Sequence, residues 1–169
     1  MVNLQRRFFI FFILFFVNLE FIYSQDLKVY PFPVGLTPAK DFTIKINGRQ
    51  AFVYDSPVGA FVHFESSKPV KLEITIISLD VKRVDIRPTK YNIQSELNQD
   101  IITVEVPPSV NLSIELNGNI TRPLFIFANA PDQQKPDPMS KGVHYFRSGK
   151  IYEVGPVELK DNEQVYIEG

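Results

Sequence analysis

Two histidines, His63 and His144, are the first residues to weigh for chemistry in this 169-residue chain. They lie far apart, each within an alternating, strand-like segment. A Ser-His-Asp triad could assemble across that separation, because triads are set by geometry and not by sequence order. Neither histidine, however, sits beside a nucleophile elbow or a second ligand at i, i+4 spacing. Both read as strand or surface histidines. Paired carboxylates come next, since hydrolysis of a glycosidic bond needs two of them across the scissile linkage. Glu73, Glu105 and Glu115 fall at outward positions of one-sided strands. That is a solvated setting, whereas a general acid requires a desolvated one.

Other chemistries are thinner still. There is no Gly-rich phosphate loop and no calcium-loop spacing. The absence of Cys removes thiol catalysis, disulfides and Cys-ligated metals together. No cofactor and no metal are expected. Sugar binding without catalysis exploits flat aromatic rings, and the chain has no Trp. Tyr30, Tyr54, Tyr91 and Tyr145 could supply such rings, although Tyr is also an ordinary strand residue. Two glycosylation triplets occur, Asn111-Leu112-Ser113 and Asn119-Ile120-Thr121. They place Asn111 on the outward face of a strand and Asn119 beside a turn, as acceptors in a eukaryotic host.

The elements that must carry these residues begin after a leader. Arg6 and Arg7 precede an apolar run over residues 8–17, a polar break follows at Asn18, and Ser24 offers a small residue before Gln25. Residues 1–24 therefore read as a secretory signal peptide. The apolar run is about half the roughly 20 residues a bilayer-spanning helix needs, so no membrane association is expected after cleavage. The expected location is extracellular or periplasmic. Without Arg6, Arg7 and Glu20, the 18 basic and 19 acidic residues become 16 and 18. No basic excess remains to match a phosphate backbone, which excludes nucleic acid as a partner.

From residue 25 onward the hydrophobic pattern alternates with period two. Phe42, Ile44 and Ile46 lead to Asn47-Gly48, the signature of a tight hairpin turn. Val70, Leu72, Ile74 and Ile76 form a one-sided strand, as do Ile102, Val104 and Val106, which end at Pro107-Pro108. Leu112, Ile114 and Leu116 lead to a second Asn-Gly, at positions 117 and 118. Short strands with regular turn signals predict an all-β domain, a two-sheet antiparallel sandwich of Ig-like type over residues 25–130. Leu72, Ile74, Val104, Val106, Ile114 and Leu116 are its expected core. Leu124, Phe125, Ile126 and Phe127 break the alternation by being apolar on both faces. Such a strand either lies under a loop or docks its second face on another domain. Residues 131–141, rich in Pro and nearly free of apolar side chains, read as a linker. Beyond them short strands resume, with turns at Ser148-Gly149 and Asp161-Asn162. The last strand, 164–168, has no evident partner, and an unpaired edge favours aggregation.

The run NLSIELNGNITRPLFIFANAP, from Asn111 to Pro131, resembles the close of the N-terminal β-sandwich domain of certain secreted polysaccharide hydrolases. These are the dextranase-like and polygalacturonase-like enzymes whose catalytic domain is a right-handed parallel β-helix. VKRVDIRPTK and IITVEVPPSVNLSIEL look like the same domain's strand series. GVHYFRSGKIYEVGPVELKDNEQVYIEG is similar to the segment entering the first coils of the helix. The resemblance implies a sandwich followed, over 142–169, by the start of a β-helix, with Val165 and Ile167 pointing into the coil stack. It implies a non-catalytic accessory domain that docks in cis on a catalytic domain this chain lacks, with polysaccharide as the parent enzyme's substrate. The family's catalytic aspartates lie on later coils, and no position here corresponds to them. The other reading is a free-standing extracellular module for carbohydrate binding or adhesion.

Overall fold

The computed structural model describes residues 26–77 and 79–169; the leader segment lies outside them. The described residues are all-β apart from one 3-10 turn at Thr89–Tyr91. A six-stranded sheet contains β1 (Leu27–Val29), β4 (Tyr54–Ser56), β5 (Gly59–Ser66), β7 (Val84–Arg87), β10 (Val110–Leu116) and β11 (Asn119–Asn129). Its order is β1-β5-β11-β10-β7, with β4 also pairing to β5. A five-stranded sheet contains β2 (Phe42–Ile46), β3 (Arg49–Ala51), β6 (Val70–Ile76), β8 (Ser95–Asn98) and β9 (Ile101–Val106), in the order β3-β2-β6-β9-β8.

Period two is what makes the sheets enclose a core. Successive side chains of a strand point to opposite faces, and β2 (FTIKI) and β6 (VKLEITI) bury every second residue accordingly. Ile44, Leu72 and Ile74 of one sheet join Val62, Leu124 and Ile126 of the other in one continuous apolar cluster. The six residues expected in the core are all buried. Fully burying each such side chain stabilises the fold by about 1.5–3 kcal/mol before entropy is subtracted.

Both Asn-Gly pairs form hairpin turns, β2 to β3 and β10 to β11. Asn47 and Gly48 have φ of 47 and 79, Asn117 and Gly118 of 54 and 76. Two positive φ values in succession are what a type I′ turn needs and what Asn-Gly tolerates. Each Asn also ties in a third strand or its approach. Asn47 Oδ1 accepts the Lys71 N–H at 2.8 Å. Asn117 Oδ1 accepts the N–H groups of Lys82 and Arg83, at 2.8 and 3.2 Å, while its Nδ2 donates to the Asp80 carbonyl at 2.9 Å.

A third sheet pairs β12 (Val143–Phe146) with β13 (Gln164–Ile167). The terminal strand, expected to be without a partner, thus has one. The pairing is parallel and runs from Val143↔Gln164 to Phe146↔Ile167, a constant offset of 21 residues (143 to 164). Between these strands the chain makes turns at Ser148-Gly149 and Asp161-Asn162, but residues 150–160 form no strand. Gly155-Pro156 interrupts that stretch, and Pro has no N–H to offer a ladder. Ile151, Val154, Val157 and Leu159 stay exposed there.

Candidate functional site

The two outer sheet faces differ in chemistry. The five-stranded sheet presents Thr43, Lys45, Lys71, Glu73, Thr75 and Glu105, with a Lys71–Glu73 ion pair at 3.0 Å. That is an ordinary solvated face. The six-stranded sheet presents aromatic rings instead, and its register explains how they meet. Asn111 of β10 lies opposite Phe127 of β11, which lies opposite His63 of β5. One row along, Ser113, Phe125, Phe61 and Tyr54 align across β10, β11, β5 and β4. Four strands each contribute every second residue to one surface.

The rings pack on one another. Tyr54 stacks on Phe61, with centroids 4.7 Å apart and planes 8° from parallel. Phe61 meets Phe127 edge-on at 6.2 Å, and Phe125 lies 6.3 Å from Phe127. His63 sits between Tyr30 and Tyr54, at 4.7 and 5.3 Å. Its Nε2 is buried without a hydrogen-bond partner. Burial pushes the imidazole pKa down, with the Lys28 charge adding to that and Glu65 opposing it. His63 is therefore a neutral, ring-like member of the patch at pH 7. Burial likewise raises the Tyr54 phenol.

Tyr54, Phe61, His63 and Phe127 floor a shallow, open depression of roughly 500 Å³, and the carboxamides of Asn111 and Asn129 stand at its rim. Gly169 also lines it, close to the Tyr30 ring, so the end of the described chain reaches this face. The nearest carboxylate on β5, Glu65, is taken up by Tyr30 and Lys28. An apolar floor with an amide rim can bind or dock, and it offers no acid–base pair for hydrolysis.

Other residues singled out in the sequence are dispersed. Leu124 and Ile126 face the core at 0% exposure, while Phe125 and Phe127 are half-buried on the outer face. Asn119 is exposed after the second hairpin turn, and its Oδ1 accepts both Thr121 N–H and Oγ–H, at 3.0 and 2.8 Å. Tyr91 lies on the 3-10 turn under Lys90, and Tyr145 packs against Tyr166 in the third sheet. His144 contacts Glu163 at 3.5 Å in that same sheet, remote in topology from His63. Among the described residues no group of three or more His, Asp or Glu side chains could hold a metal ion. Phe61 and the tie between His63 and Tyr54 escape sequence reading. Their one signal is the alternation of Phe61, His63 and Glu65 opposite Val62 and Phe64.

No protein-family model matches the chain, and no curated protein does. Among solved structures it is similar to Dex49A from Penicillium minioluteum, with a TM-score of 0.59 and 17% sequence identity. The match covers 83% of this chain and 43% of that one, so the chain spans less than half of its structural neighbour. At such identity the likeness is one of architecture: the chain has an all-β, dextranase-like fold.

Proposed function

We propose that this chain is the N-terminal accessory domain of a secreted polysaccharide-degrading glycoside hydrolase. Residues 25–130 form its Ig-like β-sandwich, 131–141 a linker, and 142–169 the opening of a right-handed parallel β-helix. The observation that carries this reading is the aromatic outer face of the six-stranded sheet. A solvated domain has no use for half-buried Phe61, Phe125 and Phe127 packed together there, since a contiguous apolar patch left partly open to solvent marks an interaction surface. The catalytic β-helix supplies the cover in cis, and Gly169 already lies against that face. The parallel pairing of β12 and β13 at constant offset supports the β-helix element, because a solenoid pairs each coil with the next in this way. The chain itself performs no hydrolysis on this account.

The test has two arms. Purified protein is incubated with dextran, pectin and other glycans, and new reducing ends are counted; none are expected. Turnover abolished by a single Asp or Glu substitution would overturn the proposal. The second arm translates the genomic sequence downstream of the Gly169 codon. Alternating strands recurring about every 21 residues are expected; an unrelated domain would refute the docking role.

A second reading, a free-standing carbohydrate-binding or adhesion module, is favoured by the Asn111 and Asn129 carboxamides beside the rings. Affinity electrophoresis in gels containing soluble polysaccharides separates the two. Retardation by one glycan, lost in Tyr54→Ala, would place the binding module first.

A further inference from the structure

The third sheet is fastened to the six-stranded sheet by a compact set of charges that the accessory-domain reading does not use. Glu168, next to β13, has a side chain only 13% exposed. Its Oε1 accepts Lys135 Nζ at 2.5 Å and lies 3.8 Å from Lys28 Nζ, while Oε2 accepts the Ser148 N–H at 3.4 Å. Glu65, on β5, is 9% exposed. Its Oε1 accepts the Tyr30 hydroxyl and, at 3.3 Å, Lys28 Nζ; its Oε2 accepts the Asp132 N–H at 3.3 Å. Tyr166 of β13 closes the circuit by donating to the Asp132 carboxylate.

Lys28 thus stands between two carboxylates from different sheets, one on β5 and one beyond β13. Neutral contacts also join those bodies: the Val34 N–H donates to the Gly149 carbonyl at 3.2 Å, Gly149 abuts Pro31, and Gly169 lies against the Tyr30 ring. Between β12 and β13 themselves the ladder is only four residue pairs long. Two short parallel strands cannot persist alone in water, so their order depends on what holds them to the main body. Hydrogen bonds to charged groups in such partly buried settings are the strong ones.

We propose that the Glu65–Lys28–Glu168 bridge, with Lys135 as its second clasp, is a pin that keeps the β12–β13 pair folded against the six-stranded sheet. Removing the Glu168 charge then opens this pair locally while both main sheets stay intact. Lys135 and the Ser148 N–H, aided by the Lys28 charge, hold the Glu168 carboxyl below its usual range against the effect of burial. The pin is therefore closed at neutral pH. Because every group in it belongs to this chain, it stands or falls independently of the proposed docking role.

Hydrogen exchange on the full chain at pH 7 tests the pin. In Glu168→Gln, which preserves shape, the amides of β12 and β13 should exchange roughly ten- to hundredfold faster than in the wild type. The amides of β10 serve as the internal control and should be unchanged. Lys28→Met should reproduce the effect, since it removes the bridging cation but keeps the apolar stem. Unaltered exchange in β12 and β13 in either variant would overturn the proposal. Equal acceleration in β10 would also overturn it, because the effect would then be a loss of global stability.

Discussion

Ile126 and Phe127 are neighbours on β11 whose side chains point to opposite faces, so truncating each in turn weighs the two faces against each other. Ile126 is fully buried between Leu112 and Val62 in register. Ile126→Ala removes three carbons, about 2.4 kcal/mol at about 0.8 each. The unfilled cavity brings the expected loss to about 3–4 kcal/mol. Phe127 is larger but half-buried, and its ring contacts are a tilted edge to Phe61 and an offset neighbour in Phe125. Such pairs contribute about 0.5–1.5 kcal/mol beyond burial, so Phe127→Ala should cost about 1–2 kcal/mol in all. Urea denaturation followed by circular dichroism reads both. With a slope near 1.5 kcal/mol per molar, typical of small domains, the midpoints of the two variants should differ by about 1 M or more. A Phe127→Ala loss equal to that of Ile126→Ala would refute the reasoning. It would mean that the outer face is already sealed within this chain.

His63 yields a pH prediction. Its folded pKa is lowered, so between that value and 6.5 the unfolded chain binds more protons and stability rises with pH. His63→Phe should flatten the change in urea midpoint between pH 5 and pH 7 relative to wild type; an unchanged slope would exclude the imidazole as its source. Asn117→Gly keeps a residue suited to positive φ but loses three hydrogen bonds. It should lower stability by about 1–2 kcal/mol, visible as a drop in thermal midpoint. Gly59 has φ of 145, and a Cβ there would strike the Pro123 carbonyl. Gly59→Ala should cost more than about 2 kcal/mol, and a variant with the wild-type midpoint would show that the β5–β11 junction yields freely.

Local chemistry in the sequence carries much of the fold. Alternation assigns β2, β6, β9 and β10 with the correct inward residues, because a strand buried on one face has only one pattern that works. Each Asn-Gly pair marks its hairpin because few other dipeptides accept two positive φ values. Pairing between distant strands is another matter. Nothing local tells β5 to lie parallel to β11, since that partnership is chosen by the whole core. The aromatic face depends on it: Phe127 and Phe125 stand out as apolar on the wrong side, but Phe61, His63 and Tyr54 become their neighbours only through that register. The β12–β13 pair was hidden for the same reason. A parallel partner lies a full crossover away in sequence, beyond the reach of any turn signal.

The hairpin turns also set how this protein ages. In an Asn-Gly pair the glycine nitrogen can attack the side-chain carbonyl carbon, expelling ammonia and leaving a cyclic imide that opens to aspartate or isoaspartate. Asn117 is restrained on both ends of its carboxamide, with Oδ1 holding two N–H groups and Nδ2 held by the Asp80 carbonyl. Among the described residues Asn47 is held through its Oδ1, by the Lys71 N–H. Deamidation should therefore begin at Asn47, where the new acid keeps its acceptor and adds charge beside Lys71. At Asn117 the same reaction would set a carboxylate oxygen against the Asp80 carbonyl and loosen the approach to β7. Stored protein would then gain a new charge first at the hairpin of the five-stranded sheet, and lose a hydrogen bond only when Asn117 follows.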